Sequence, residues 1–200
     1  MILAVNASGS SAASAQASAT TVPLAPTGVA AAPVSGAIQI NLTWTATAGA
    51  TSYNVQRSTT SGGPYSSVGT PATNSFSDVS GSGATTYFYV VAAVNSSGTS
   101  ANSTQVSALT VPAAPTGLTN TFTNTTHLTP AWNAVTGASS YTVERSTTSG
   151  GPYTVIASGV VTTSFADSGL TTHTTYFYVV VAVNASGNSP LSAQLSATTN

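Results

Sequence analysis

The sequence predicts an all-β protein built from tandem copies of one small domain. One long run, Thr-Thr-Tyr-Phe-Tyr-Val-Val-x-Ala-Val-Asn, stands at residues 85–95 and again at residues 174–184. Its aromatic and β-branched residues favour a β-strand, and both copies end in an Asn/Ser/Gly turn. Trp44 recurs 88 residues later as Trp132. A period of that length suits a complete small domain better than a solenoid unit.

The repeats divide the chain into one partial copy and two complete copies. We expect domains at residues 22–110 and 111–200, preceded by a partial repeat at residues 1–21. Residues 1–20 match residues 179–198 at 13 of 20 positions, which are the end of the penultimate strand, a turn and the last strand. The partial copy would expose sheet edges that a neighbouring chain could cover. The alternative is that it belongs to a longer array.

Each complete copy opens on a linker that contains two prolines, Pro23 and Pro26 in the first and Pro112 and Pro115 in the second. Proline stiffens a short connection and removes backbone donors. Adjacent domains should therefore sit as semi-rigid beads.

Alternation of apolar and polar residues marks the inner faces of the strands. In the first copy one strand has four apolar residues on one face, Ile38, Ile40, Leu42 and Trp44. A period of two with one apolar face predicts a half-buried strand. Tyr53, Val55 and Arg57 share a face of the next strand, and we expect the Arg57 stem to be packed with its charged head in water. Trp44 and Trp132 are predicted core residues.

Composition excludes several classes of function. The charged side chains are only Arg57, Arg145, Asp78, Asp167 and Glu144. Because no basic patch exists, neither nucleic-acid binding nor attraction to anionic membranes is expected. The sequence contains no long apolar run, so membrane insertion is not expected. The absence of cysteine rules out disulfides and thiolate metal sites. A net charge near zero favours association, and Ser, Thr, Asn and Gln must supply the polar surface.

Taken together, the motifs resemble the fibronectin type III domain. They are a proline-rich entry, a Trp on the second strand, Tyr-x-Val on the third, a Tyr that opens the sixth and Ala-Val-Asn-x-x-Gly at its end. One run, Arg-Ser-Thr-Thr-Ser-Gly-Gly-Pro-Tyr, stands at residues 57–65 and again at residues 145–153. It is similar to the bacterial members of the family, which are found in secreted glycan-degrading enzymes and surface proteins. The resemblance implies that each complete copy is a seven-stranded antiparallel β-sandwich of the immunoglobulin-like class. This fold serves many functions and identifies none by itself.

The resemblance also implies a corner hydrogen bond from the tyrosine that opens the sixth strand, Tyr87 in the first copy and Tyr176 in the second. Leu170 matches the leucine that packs under this corner. Gly81 stands at the corresponding place in the first copy, so we expect that corner to be looser or to use Val79.

Proline interrupts a strand that should be central in the second copy, where Pro130 stands in place of Leu42. Because proline cannot donate a hydrogen bond to the sheet, we expect a bulge or an early strand break there.

No constellation of reactive residues emerges, so we expect no enzyme activity, no metal site and no cofactor. His127 and His173 each occur in one copy only and lack a second His or Cys at ligand spacing. Asp78 and Asp167 lie in separate domains and cannot form the close carboxylate pair of a glycosidase. A local turn hydrogen bond is their expected role.

Two tyrosines are candidates for stacking against sugars, Tyr65 and Tyr153, because each follows a Gly-Gly-Pro loop. Structural packing is the favoured interpretation even there. Polysaccharide and other surface proteins are nevertheless candidate partners.

The signature strand is apolar on both faces, which is unusual unless both faces are covered. We interpret the outer face and the N-terminal apolar residues as a self-association surface. Its members are Ile2, Leu3, Val5, Phe88, Val90, Val94, Phe177, Val179 and Val181. The alternative is that neighbouring strands of the same domain cover the outer face.

Six Asn-x-Ser/Thr sequences are candidate glycosylation sites, at Asn6, Asn41, Asn95, Asn102, Asn124 and Asn184. The motif is common by chance in a chain so rich in Ser and Thr. Sugars at these positions would supply hydration that the few charges do not.

These observations predict a non-catalytic, secreted or cell-surface structural protein that associates with itself. Residues 1–21 would complete a neighbour's sheet, and the product would be a filament, sheath or surface layer. The alternative is that the domains are spacers or glycan-binding accessory modules of a larger secreted enzyme or adhesin.

Overall fold

The computed structural model describes all residues of the chain, 1–200, as an all-β protein. An N-terminal hairpin is followed by two β-sandwiches. The hairpin pairs β1 (Val5–Asn6) with β2 (Gly9–Ser10). No helix of the length and apolarity that a membrane span requires occurs in the structure.

The first sandwich packs a three-stranded sheet against a larger one. Its strands are β3 (Ala30–Pro33), β4 (Ile40–Thr43), β5 (Ser52–Ser58), β6 (Ser66–Gly69), β7 (Ser75–Asp78), β8 (Thr86–Asn95), β9 (Gly98–Thr99) and β10 (Val106–Leu109). The small sheet has the order β3–β4–β7, and the large sheet has the order β10–β8–β5–β6. β9 and β10 pair with the same edge of β8 and act as one interrupted strand. All pairs are antiparallel. With β9 and β10 counted as one strand, the arrangement is a seven-stranded antiparallel sandwich.

The second sandwich repeats this topology. Its strands are β11 (Thr119–Thr123), β12 (His127–Ala131), β13 (Ser140–Ser146), β14 (Thr154–Val160), β15 (Asp167–Ser168), β16 (Thr175–Asn184), β17 (Gly187–Asn188) and β18 (Leu195–Thr198). The sheets have the orders β11–β12–β15 and β14–β13–β16, with β17 and β18 on the free edge of β16. The predicted fold class, tandem seven-stranded antiparallel sandwiches, is confirmed.

Each sandwich closes around its own apolar core. Trp44 meets Tyr53 edge-on with 5.1 Å between ring centroids, and Trp132 meets Tyr141 in the same way at 5.3 Å. This tilted contact is the favoured geometry for two aromatic rings. Ile40 and Leu42 on β4 and Trp44 directly after it are buried, on the face that the alternation indicates.

The tyrosine corner forms in both sandwiches. The Tyr87 hydroxyl accepts the Ser82 backbone N–H at 2.8 Å, and the Tyr176 hydroxyl accepts the Thr171 N–H at 3.0 Å. The expectation of a looser first corner is wrong, because its hydrogen bond is no longer than the second. Val79 is exposed and takes no part. A Cβ at Gly81 would lie 2.9 Å from Cε2 of Tyr87, so glycine lets the chain pass close to the ring.

Strand β12 continues through Pro130 to Ala131 instead of ending early. The irregularity lies in its partner strand, where the register shifts between Asn120 and Thr123. The Asn120 side-chain oxygen accepts the Thr129 backbone N–H at 2.9 Å. The expected bulge is therefore present, but opposite the proline, and a side chain satisfies the donor that the shifted backbone does not.

The N-terminal hairpin has the hydrogen bonds of the last strand pair of a complete sandwich. Ala4 and Ser11 bond through the Ser11 N–H at 2.8 Å and the Ser11 hydroxyl at 3.0 Å. Ala182 and Ser189 bond in the same way at 2.8 and 2.9 Å. The partial repeat thus keeps its local structure while its apolar side chains stay exposed.

Candidate functional site

A buried polar cluster in the first sandwich is centred on Asp78, at the end of β7. One carboxylate oxygen accepts hydrogen bonds from Arg57 Nη1 and the Tyr89 hydroxyl, both at 2.8 Å. The other oxygen accepts the Ser80 backbone N–H at 3.0 Å and the Ser80 hydroxyl at 2.7 Å. Because Arg57 and Tyr89 belong to the large sheet and Asp78 to the small one, the cluster ties the two layers together.

The second sandwich builds the same cluster around Asp167. Arg145 Nη1 donates to both carboxylate oxygens at 2.8 and 2.7 Å, and the Tyr178 hydroxyl donates at 2.7 Å. The turn hydrogen bond expected for these aspartates is present only as part of the Asp78 cluster. The ion pairs between the two layers could not be predicted from the sequence, because Arg and Asp lie 21 and 22 residues apart on different sheets.

We expected the charged head of Arg57 to lie in water, but the guanidinium groups of Arg57 and Arg145 are both largely shielded from it. The Arg57 side chain is 19% exposed and that of Arg145 is 29% exposed. Each guanidinium also lies over a corner tyrosine, 4.4 Å from the Tyr87 centroid and 5.2 Å from the Tyr176 centroid. Cation–π contact and ion pairing together hold the charge inside the sandwich.

The cluster perturbs the pKa values of its members. Burial alone would raise the pKa of Asp78, but hydrogen bonds from Ser80, Tyr89 and Arg57 outweigh it and lower the pKa. Burial and the hydrogen bond to the aspartate both raise the pKa of Tyr89 and of Tyr178. The carboxylate therefore stays charged and the phenols stay protonated at neutral pH, which suits a structural network.

A shallow cleft lies beside the cluster in each sandwich. In the first it is lined by Arg57, Pro64, Val68, Tyr87 and a row of hydroxyls from Ser58, Thr59, Thr60 and Ser66. The second sandwich has the equivalent cleft beside Arg145 and Tyr176. These clefts offer hydrogen-bond donors but no exposed base beside a nucleophile, which hydrolytic chemistry requires.

The remaining titratable residues are scattered. His127 lies on β12, where its Nδ1 is 2.9 Å from the Thr126 hydroxyl. His173 lies in the exposed loop before β16, and Glu144 lies on β13. No group of three or more His, Cys, Asp or Glu side chains is placed to hold a metal.

The outer face of the signature strand is not an open surface. Val90, Val179 and Val181 are buried within their own sandwiches, and Phe88, Val94 and Phe177 are half-buried. This burial corrects the premise that the face is free to bind a partner. Self-association through these six residues stays a prediction that the placement does not favour.

Polar side chains from β5 and from the loop between β9 and β10 lie across that face of β8. Gln56 on β5 donates to Asn102, which lies beyond the other edge of β8, at 3.0 Å. The bond therefore reaches across β8, and Gln56 is the cross-strand partner of Val90. In contrast, Ile2, Leu3 and Val5 of the hairpin are exposed.

The candidate sugar-stacking tyrosines are held by their hydroxyls. Tyr65 donates to the Gln105 side-chain oxygen, which also accepts the Gly62 N–H at 2.7 Å. Tyr153 makes the same contact with Gln194. Both rings are half-buried, which fits the favoured packing interpretation. The two glutamines recur 89 residues apart, and that recurrence is the sequence signal for this contact.

Two of the six candidate glycosylation sites are engaged inside the protein. The side-chain nitrogen of Asn95 donates to the Thr21 carbonyl at 2.8 Å, and that of Asn184 donates to the Thr110 carbonyl at 3.0 Å. A glycan there would share the nitrogen with this bond, and glycosylation stays a prediction at Asn95 and Asn184. For the other candidates it also stays a prediction; they are Asn6, Asn41, Asn102 and Asn124.

Residues 113–198 match the family model of the fibronectin type III domain. A poly(3-hydroxybutyrate) depolymerase from Ralstonia pickettii is 46% identical over 87 residues, which cover 43% of this chain and 16% of the relative. Exoglucanase B from Cellulomonas fimi is 30% identical over 190 residues, which cover 84% of this chain and 16% of the relative.

A solved Fn3-like protein from Clostridium thermocellum is 42% identical, and the alignment covers 44% of this chain and 94% of that protein with a TM-score of 0.41. The chain thus spans about a sixth of the two curated enzymes but nearly all of this small protein. The second sandwich, residues 113–198, thus belongs to the fibronectin type III family, and the first sandwich repeats its topology.

Proposed function

We propose that the chain is a non-catalytic spacer in a secreted enzyme that degrades a polymer. The observation that carries the proposal is the match to a poly(3-hydroxybutyrate) depolymerase and an exoglucanase. The chain covers 16% of the length of each enzyme. The chain itself brings no reactive group of side chains together. The same match supports our proposal that the chain lies outside the cell.

The surface chemistry supports this role. Arg57, Arg145, Asp78 and Asp167 are consumed in the two internal clusters, which leaves Glu144 as the remaining charged side chain. Hydroxyl and carboxamide groups make up the polar exterior. Such a surface presents few charges, so its contact with a neutral polymer depends on hydrogen bonding and apolar contact and little on salt. A spacer of this kind can lie near an uncharged glucan or polyester at any ionic strength.

A comparison of fused enzymes tests the proposal. A glucanase catalytic domain would be joined to residues 22–200, to residues 111–200 or to no spacer, and assayed on solid cellulose and on soluble oligosaccharides. We expect loss of activity on the solid as the spacer shortens, with unchanged activity on the soluble substrate. Equal activity of all three fusions on the solid would overturn the spacer function.

The same purified chain without a catalytic domain serves as the control. It should release no product from poly(3-hydroxybutyrate) or cellulose. Sedimentation with each solid polymer then distinguishes the two forms of the proposal. Retention on a polymer would indicate an accessory binding module, whereas a chain that stays in the supernatant acts as a spacer alone.

A second candidate function is self-association through the N-terminal hairpin. One observation favours it: Ile2 and Val5 are 78% and 74% exposed on a pair of strands that, in a complete sandwich, would be covered. Deletion of residues 1–21 should abolish assembly seen by light scattering or electron microscopy. Assembly that persists after the deletion would contradict this candidate.

A further inference from the structure

Two asparagines hold the chain segment that enters each sandwich. Asn95 and Asn184 stand at the ends of the equivalent strands β8 and β16. The side-chain nitrogen of each donates to a backbone carbonyl that lies 74 residues earlier, on Thr21 and Thr110 respectively. The side-chain oxygen of each accepts the N–H two residues on, at 2.9 and 2.8 Å. That second bond fixes the orientation of the carboxamide and directs its nitrogen at the linker.

The carbonyl that Asn184 binds is anchored in the first sandwich. The N–H of Thr110 donates to the Thr85 carbonyl at 3.0 Å, and its hydroxyl donates to the Ser82 carbonyl at 2.7 Å. The same hydroxyl accepts the Thr85 N–H at 2.9 Å, and the residue is buried. The Asn184–Thr110 bond therefore joins a fixed group of one sandwich to a fixed group of the other.

A second contact joins the two sandwiches away from the linker. The turn between β3 and β4 meets the end of the β16–β17 hairpin. The Gly36 N–H donates to the Asn188 carbonyl at 2.7 Å, and the Asn188 N–H donates to the Ser35 hydroxyl at 3.2 Å. Ser35 and Gly36 lie on a turn of the first sandwich and Asn188 lies on β17 of the second, so the contact joins the two sheets and resists rotation about the linker.

A third contact is steric. Ala84 precedes β8, and Gly137 lies in the loop between β12 and β13. A Cβ placed on Gly137 would lie 2.4 Å from the Cβ of Ala84. Only glycine allows this approach, and its backbone also has φ of +72°, a conformation that favours glycine. Three contacts at separate places restrict both bending and twisting of the joint.

The linker itself is buried only where a complete sandwich precedes it. Val111 is 0% exposed, whereas the equivalent Val22, which follows the two-stranded hairpin, is 48% exposed. The difference shows that the first sandwich contributes the cover over Val111. Apolar area at the joint is removed from water only when the two sandwiches meet, which stabilises the closed arrangement.

We propose that the turn after the sixth strand is a docking site for the C-terminal end of the preceding fibronectin type III domain, and that it locks residues 22–200 into one rigid rod. Its recognition element is the asparagine, and the group it recognises is the buried threonine's backbone carbonyl. This inference deepens the spacer function and rests on it, because a rigid rod sets a fixed distance between the modules at its ends. It also replaces the semi-rigid beads that the prolines alone predict.

Residual dipolar couplings measured by NMR on the full chain test the proposal. A rigid rod gives both sandwiches the same alignment tensor. Asn184→Asp keeps the side-chain oxygen for the Ser186 N–H but turns the donor into an acceptor that faces the Thr110 carbonyl. We expect the two tensors to diverge in Asn184→Asp, and also in Ser35→Ala, which removes a bond at the second contact without touching either core.

Asn6→Asp is the matched control, since Asn6 occupies the same turn of the hairpin and accepts the Ser8 N–H at 2.9 Å. Its tensors should equal those of the wild type. Different tensors in the wild type, or a single shared tensor in both Asn184→Asp and Ser35→Ala, would overturn the rigid joint. Neither result depends on the fused-enzyme assay, so failure of the joint and failure of the spacer function are distinguishable.

Discussion

At the scale of single residues, the two buried aspartates hold the layers of each sandwich together. Asp78 receives four hydrogen bonds, from Arg57, Tyr89 and the backbone and side chain of Ser80. An ion pair shielded from water stabilises only when both partners and their hydrogen bonds are complete. Removal of the carboxylate would leave the Arg57 guanidinium inside the sandwich without its counter-charge.

We therefore predict that Asp78→Asn destabilises the first sandwich by about 3 kcal/mol. Ser80→Ala is the control, because it removes the hydroxyl's hydrogen bonds to Asp78 and Arg57 but leaves the ion pair in place, and it should cost about 1.5 kcal/mol. Urea unfolding followed by tryptophan fluorescence measures both, with Trp44 reporting on the first sandwich. Equal costs for the two variants would show that the charge contributes nothing beyond an ordinary hydrogen bond.

The same cluster predicts how stability depends on pH. The folded pKa of Asp78 lies below its usual 3.8, so its contribution is complete above about pH 4 and is lost as pH falls further. The folded pKa values of Tyr89 and Tyr178 lie above their usual 10.0, so their contribution is complete below about pH 10 and is lost above it. Urea midpoints between pH 2 and 12 should form a plateau with two falling limbs. Persistence of the alkaline limb in a Tyr89→Phe, Tyr178→Phe double variant would contradict the assignment.

At the scale of elements, the two tyrosine corners solve one problem with different residues. Leu170 is buried beneath the second corner, while Gly81 stands at the first with the Tyr87 ring 2.9 Å from where a Cβ would be. The Arg57 guanidinium approaches Tyr87 to 4.4 Å, closer than Arg145 approaches Tyr176. In the first sandwich, ring and guanidinium fill the space that leucine uses in the second.

Gly81→Leu should therefore destabilise the first sandwich, by about 1–3 kcal/mol, although leucine is the residue at the equivalent place in the second. The physical reason is overpacking against the Tyr87 ring. Thermal unfolding of residues 1–200 measures the change, and Leu170→Gly, which leaves a cavity, should also destabilise. A gain in stability for Gly81→Leu would show that the first corner has room.

The bulge opposite Pro130 gives a second prediction for an element. Asn120→Ala removes the oxygen that accepts the Thr129 N–H and should cost about 1–2 kcal/mol. Asn120→Asp keeps that acceptor and should cost less. Hydrogen exchange at Thr129 provides the measurement, with faster exchange expected in Asn120→Ala alone. Equal protection in both variants would mean that the side chain does not satisfy this donor.

Much of the fold was predictable from the repeat, and the reasons are local. The signature strand, the Trp that follows β4 and the turn residues can be recognised from composition and spacing. What could not be predicted depends on partners far apart in sequence. The Arg57–Asp78 pair joins two sheets, and the Asn184–Thr110 bond spans 74 residues. The cover over Val90 comes from Gln56 on β5 and Asn102 in the loop between β9 and β10.

At the scale of the whole molecule, the protein consists of two sandwiches, each closed around its own core, that are joined end to end. Four of the five charged side chains are paired inside the sandwiches, the signature strands are covered, and the titratable side chains outside the two clusters are scattered. A rigid pair of sandwiches would fix the distance and orientation between the modules at its ends. The exposed apolar hairpin lies at the N-terminal end. These properties suit a spacer, and the hairpin alone offers a route to association.

The most direct test of this account is small-angle X-ray scattering coupled to size-exclusion chromatography, at several concentrations of the full chain. We predict a monomer of 19.6 kDa at every concentration, with one scattering curve that a single elongated rod of two sandwiches reproduces. A mass that rises with concentration would show that the chain assembles with itself. A curve that requires many inter-domain angles would show that the joint is flexible, and either result would contradict a rigid spacer.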